Sequence, residues 1–129
     1  MATLFTKIIN GEIPCHKVAE SDDFLAFLDI MPVKQGHVLV IPKVEIDYIF
    51  NLEDALLGRM MVFAKEVAKK IEVAFPCNRI GVTVIGLEVP HAHIHLIPID
   101  KLDDMNFAKP KMQLNQEELA EMAKKIASV

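Results

Sequence analysis

Three histidines, His91, His93 and His95, alternate with Ala92, Ile94 and Leu96 near the C-terminal third of the chain. On a β-strand, alternate side chains point to the same side. The spacing therefore predicts one face lined by three imidazoles and an opposite face of small and branched apolar groups. Successive histidines would lie ~6.7 Å apart along an extended strand. Three of the five histidines in the sequence fall within these few residues. Two chemistries suit such a row. One is metal binding, since histidines at i and i+2 can share an ion. The outer pair, about 13 Å apart, cannot, so such a site needs His37, an acid or a cysteine to complete it. The other is nucleophilic catalysis. A neutral imidazole is a competent nucleophile, because its free pKa lies near ~6.5. The middle histidine attacks, and its neighbours hold its tautomer and meet charge on phosphoryl oxygens. An extended row fits an elongated, multiply charged group better than a single ion.

The elements that must position this row follow from periodicity and turn chemistry. Residues 4–10 read as a short helix with Phe5, Ile8 and Ile9 on its apolar side, stopped at Asn10-Gly11. Residues 15–20 and 24–29 read as strands, and 31–36 as a Pro- and Gly-containing connection. His37 to Ile41 is β-branched and apolar, a strand ending at Pro42. Over residues 52–74, Leu56, Met60, Phe63, Val67 and Ile71 recur at three- and four-residue steps, so one helix face meets a core. Asn51 is its predicted N-cap and Pro76 stops it from beyond. Residues 79–86 and 91–97 are strand-like, the latter ending at Pro98. Residues 99–113 read as a loop. Asn115 and Glu118 form a capping box for a final helix with Leu119, Met122 and Ile126 as its stripe. The short link between the two late strands favours antiparallel pairing. The expectation is an α+β fold with a mainly antiparallel sheet of about five strands and helices on one face. Residues 1–129 are read as one domain, with 113–129 a C-terminal helical extension.

Composition narrows the field. At 129 residues, with 52% hydrophobic and 25% charged, the chain suits one core and is not a disordered or fibrous sequence. A formal charge of -4 argues against a nucleic-acid polymer as partner, though not against a single nucleotide. No apolar run reaches the roughly 20 residues of a membrane span, and the first residues lack a signal-peptide pattern. Cys15 and Cys77 read as reduced thiols of a cytoplasmic protein. There is no G-x-x-x-x-G-K-[ST] loop, no G-x-G-x-x-G turn and no Ser-centred nucleophile elbow.

Four segments together resemble the histidine-triad superfamily. They are His91-Ala92-His93-Ile94-His95-Leu96-Ile97, the N-terminal Phe5-Thr6-Lys7-Ile8-Ile9-Asn10-Gly11-Glu12-Ile13-Pro14, Ala26-Phe27-Leu28-Asp29-Ile30-Met31-Pro32, and Gly36-His37-Val38-Leu39-Val40-Ile41-Pro42-Lys43. Their order and spacing agree over roughly residues 4–99. The resemblance implies a homodimer that releases nucleoside monophosphates from phosphoramidates, adenylates or dinucleoside polyphosphates, with a purine nucleotide or nucleotide conjugate as ligand. It implies that His93 attacks the α-phosphorus and that a covalent nucleotidyl-histidine is resolved by water. It implies that His95 contacts the phosphate and leaving-group side. His91 orients His93 through its carbonyl, and His37 supports from behind. Asp29 takes the ribose hydroxyls, and Phe5, Ile8, Phe27 and Ile30 wall the base pocket.

Two departures from the family pattern stand out. Many members carry C-x-x-C and a downstream histidine as a structural zinc site. Thr3, Thr6 and Glu45 occupy those positions here, so no metal is expected and no cofactor is implied. Many also have Asn or Gln, a glycine run and a hydroxyl residue before the triad. Here Ile85 lacks a side-chain donor, and Glu88 puts a carboxylate where the hydroxyl would be. Glu88 either points away, or acts on the leaving-group or phosphate side, or the substrate differs. Three functions compete: a nucleotide hydrolase or transferase, a nucleotide-binding regulatory module with little catalysis, and a metal-binding protein using His91, His93 and His37.

Overall fold

The computed structural model describes residues 2–129. Its elements in chain order are helix α1 (Leu4–Ile9), strands β1 (Lys17–Glu20), β2 (Phe24–Leu28) and β3 (Val38–Pro42), helix α2 (Asp54–Ala74), strands β4 (Arg79–Thr83) and β5 (Ile94–Ile99), and helix α3 (Gln116–Ala127). Short 3-10 turns occupy Ile49–Asn51 and Leu102–Met105. The five strands form one antiparallel sheet in the order β1-β2-β3-β5-β4. Strand β5 is thus interior, with His95 opposite Leu39 on one side and Thr83 on the other.

The sheet sorts its side chains by the alternation of the strands. Phe24, Ala26, Leu28, Val38, Val40, Ala92, Ile94 and Leu96 all join the larger apolar cluster, with Met60, Val67 and Ile71 of α2 and Leu119 and Ile126 of α3. The other parity gives a smaller cluster, Leu25, Phe27, Leu39 and Ile41, covered by Phe5 of α1. Helices therefore pack on both faces, not on one. The long helices had a clear apolar stripe that located them, whereas α1 holds its face through Phe5 alone among its buried residues. No helix among the described residues is long and apolar enough to cross a membrane.

Several boundaries differ from the sequence expectation. Thr3 caps α1, its hydroxyl accepting from Thr6 N–H at 3.0 Å. Asn51 does not cap α2. It ends the preceding 3-10 turn, and α2 starts after Glu53 without a side-chain cap. Strand β4 stops at Thr83, so residues 84–86 are loop. Strand β5 begins at Ile94 and runs through Pro98 to Ile99. His91, Ala92 and His93 precede its ladder, yet the alternation of faces persists. The stretch at 99–113 contains the 3-10 turn Leu102–Met105. Asn115 and Glu118 form the expected capping box of α3. In the turn before β3, Gly36 has φ +83°, and a Cβ there would sit 3.0 Å from the Phe75 ring.

Candidate active site

The smaller cluster floors a cavity of about 450 Å³. Phe5, Ile8, Phe27 and Ile30 line it, as do Asp29, Glu88, His93 and His95. His37 and His91 do not. Both are fully buried behind the wall, where each can act only through a neighbour.

Hydrogen bonds fix the tautomer of each ring. The His93 Nδ1 sits 2.7 Å from the His91 carbonyl oxygen. A carbonyl only accepts, so Nδ1 carries the proton and Nε2 keeps a bare lone pair. Nε2 is the one ring nitrogen of His93 without a hydrogen-bond partner among the described residues. His91 is tied at both ends. Its Nε2–H donates to the Pro42 carbonyl at 2.8 Å, and its Nδ1 accepts from the Thr3 hydroxyl at 2.9 Å. On the other side, Val33 N–H donates to His37 Nδ1 at 3.1 Å. That leaves the His37 proton on Nε2, which donates to His95 Nδ1 at 2.9 Å. The His95 proton therefore resides on Nε2, which has no hydrogen-bond partner among the described residues.

Burial favours the neutral forms of His37, His91 and His95. Desolvation, with the neighbouring His95 ring second, lowers the His37 pKa to about 3. Desolvation, with His93 second, lowers His95 to about 4. Burial also lowers His91, against the opposing hydrogen bond to Pro42. Phe107 completes the dry environment. Its ring centroid lies 5.0 Å from that of His95 and 6.0 Å from that of His37, both edge-on. Phe5 packs edge-on against His93 at 5.1 Å and His91 at 5.8 Å.

Asp29 is positioned by the turn between β2 and β3. Its backbone N–H bonds the His37 carbonyl at 3.1 Å, and its Oδ1 accepts from Met31 N–H at 2.9 Å, an Asx turn. Its Oδ2 lies 3.7 Å from His37 Nε2. With His37 neutral, this is a dipolar contact and not an ion pair. Partial burial raises the carboxyl pKa of Asp29, against the Met31 hydrogen bond.

The metal set His91, His93 and His37 does not come together. The one convergent group of possible ligands among the described residues is Asp29, His37 and His95, with donor atoms within 4.8 Å. A cation there would need the Nε2 lone pair of His37. Freeing it moves the proton to Nδ1, which already faces the Val33 N–H donor. The positions of the family's structural zinc are also a poor fit. Thr6 donates to Glu45 Oε1 at 2.6 Å, Thr3 N–H donates to the same oxygen at 2.8 Å, and Thr3 donates to His91. Two neutral hydroxyls and one carboxylate, already engaged in these hydrogen bonds, stand in place of the thiolates and imidazole zinc prefers.

Sequence reasoning missed several groups that lie away from the histidine strand. Phe107 and Lys111 reach the cavity wall from the segment read as a plain loop. The Val33 N–H is a backbone group that no residue type announces. Thr3, Thr6 and Glu45 were legible as a departure from a metal site, but not as the support of His91. Glu88, exposed to solvent, is among the residues at the cavity rim with Ile85, Gly86, Leu87 and Val89.

The chain is similar to known proteins over nearly its whole length. A HIT domain model matches residues 10–102. A HIT-like protein of Borreliella burgdorferi is 35% identical, with 96% of this chain and 95% of that one covered. The adenosine 5'-monophosphoramidase of Schizosaccharomyces pombe is 32% identical, with 99% and 98% covered. The crystal structure of a Hit-like protein from Bartonella henselae superposes with a TM-score of 0.85 at 33% identity, covering 98% and 95% of the two chains. On sequence and on fold alike, this chain belongs to the HIT domain family.

Proposed function

We propose that this protein is a nucleotide hydrolase or transferase that releases a nucleoside monophosphate through a covalent intermediate on His93. The observation that carries the reading is the His93 ring, with Nδ1–H committed to the His91 carbonyl and Nε2 left as a lone pair at the cavity. In this scheme Nε2 attacks the α-phosphorus, a P–N bond to His93 forms and the bond to the leaving group breaks. His95 is neutral across the physiological range, so its Nε2–H serves as a hydrogen-bond donor to a phosphoryl oxygen. An amine leaving group takes its proton from solvent. Water then attacks phosphorus, its proton passes to solvent, and the P–N bond to His93 breaks, restoring the lone pair.

His91 and His37 act as positioning residues, the first through its carbonyl and the second through the His95 tautomer. Asp29 has lone pairs free for ribose hydroxyls, and Phe5, Ile8, Phe27 and Ile30 supply an apolar slot for a purine. Phosphoramidates are the substrate class of choice, because two yeast relatives, at 32% and 38% identity, are named adenosine 5'-monophosphoramidases. The homodimer implied by family resemblance is supported by the open sheet edge at β4 and by Val82, exposed there. The free thiols Cys15 and Cys77 suit a reducing, cytoplasmic setting. Hydrolysis of adenosine phosphoramidate by the wild type, absent in His93→Ala, tests the proposal. Turnover retained by the variant contradicts it.

One feature favours a second reading, a regulatory nucleotide-binding module. Ile85 and Glu88 on the wall offer no neutral side-chain donor to a phosphate. That reading predicts saturable binding of a purine monophosphate with negligible turnover of any conjugate.

A further inference from the structure

A cavity that takes a nucleoside monophosphate must offset its negative charge. The wall of this one holds two carboxylates, Asp29 and Glu88. The 85–89 stretch contributes Ile85, Gly86, Leu87, Glu88 and Val89 to it, none with a cationic or neutral side-chain donor. His95 stays neutral above about pH 4. Among the described residues lining the cavity, Lys111 is the only lysine or arginine.

We infer that Lys111 is the phosphate-contacting cation of this site, and that it makes up for the donors missing at positions 85 and 88. The inference rests on the nucleotide reading above and assigns the group that selects an anionic over a neutral ligand. The segment carrying Lys111 is held in place at two points. Met112 N–H donates to the Pro32 carbonyl at 2.9 Å, joining it to the turn that also holds Asp29. Buried Asp104 accepts from Asp100 N–H at 2.9 Å and from Lys101 N–H at 3.2 Å, with Lys34 Nζ 3.5 Å away. The Lys111 Nζ donates to the Phe107 carbonyl at 2.5 Å and stands 5.7 Å from the Phe107 ring centroid. That ring packs against His95. The ammonium thus stands on the wall of the cavity that His93 and His95 also line, with one of its three donors used on Phe107 and no other hydrogen-bond partner among the described residues. Its charge reaches the site interior, favouring the carboxylate form of Asp29 and the neutral form of His37. Lys111 is half-buried, so an attached phosphate would feel it with less screening than at the open surface.

The alternative role for Lys111 is purely local, tying the segment to Phe107. Calorimetric titration with adenosine and with adenosine monophosphate separates the two, using wild type, Lys111→Gln and Lys111→Arg. The wild type binds the monophosphate more tightly than the nucleoside. Lys111→Gln weakens the monophosphate by about tenfold or more, the worth of a charge-assisted hydrogen bond. It leaves adenosine within about twofold, and Lys111→Arg retains most of the monophosphate affinity. Equal weakening of both ligands assigns Lys111 to loop packing and overturns the inference. So does a monophosphate affinity indifferent to the substitution, or a wild type that binds both ligands equally. A wild type that binds neither overturns the nucleotide reading itself, and this inference with it.

Discussion

The two histidines that flank His93 are held by different means. His91 is saturated, with one ring nitrogen on the Pro42 carbonyl and the other on Thr3, whose neighbour Thr6 is tied to Glu45. No atom of its ring is left for a ligand. His95 is held on one nitrogen only, through His37 and the Val33 N–H, and keeps an N–H at the cavity. In the proposed scheme one neighbour is a frame and the other is a tool. The difference lies in the second layer of contacts, since the two residues are identical and equally spaced from His93.

That comparison ranks the expected effects. His93→Ala removes the proposed nucleophile and should lower turnover on the order of 10⁴-fold or more, measured with adenosine phosphoramidate. His95→Ala removes an N–H donor aimed at developing charge and should cost ~10²- to 10³-fold in kcat. An effect of His91→Ala on kcat equal to that of His95→Ala, in a folded protein, would erase the distinction between frame and tool.

The pH response sharpens the same contrast. His37 and His95 have folded values near 3 and 4, below the unfolded value of 6.5. Between those limits the unfolded chain binds more protons, so stability rises with pH across the window. It is complete above about pH 6.5 and is lost progressively as pH falls toward 4. Carboxylates with lowered values, such as Glu20 at about 2, contribute the same sign but only below about 4.5. Denaturant titrations between pH 7 and 5 should show this slope, and His37→Asn should flatten it. A slope unchanged in that variant would contradict the neutral buried pair.

Smaller effects lie at the edges of the site. Asp29→Asn should lower affinity for adenosine monophosphate by about tenfold and leave the 2'-deoxy analogue far less affected. Equal losses for both ligands would remove Asp29 from ribose recognition. Thr3→Val deletes the hydroxyl on His91 and should cost about 1 kcal/mol of stability, with a several-fold fall in kcat and little change in KM. A stability loss without that kcat change would make Thr3 a helix cap alone.

The legible parts of the molecule were those with period. Ala92, Ile94 and Leu96 face the large core as the alternation requires, and Met60, Val67 and Ile71 do so from α2. Phe5, Ile8, Phe27, Ile30 and Asp29, named from the sequence, line one cavity. The illegible parts depend on backbone and on long-range closure. Residues 91–93 keep strand-like alternation without ladder bonds, so the sequence overran the strand start. Val33 fixes a tautomer with its N–H, which its side-chain type cannot signal. Phe107 and Lys111 arrive through a segment without periodicity, anchored by Asp104 and by one backbone bond to Pro32.

The most direct test of the central claim is the mass of the intact protein after brief mixing with adenosine phosphoramidate. The quench is neutral to basic, because phosphorus–nitrogen bonds to histidine are acid-labile. The account predicts an added adenylyl group on the wild type and none on His93→Ala. An adduct that persists in the variant, or product released with no adduct on the wild type at any time, would contradict covalent catalysis at His93.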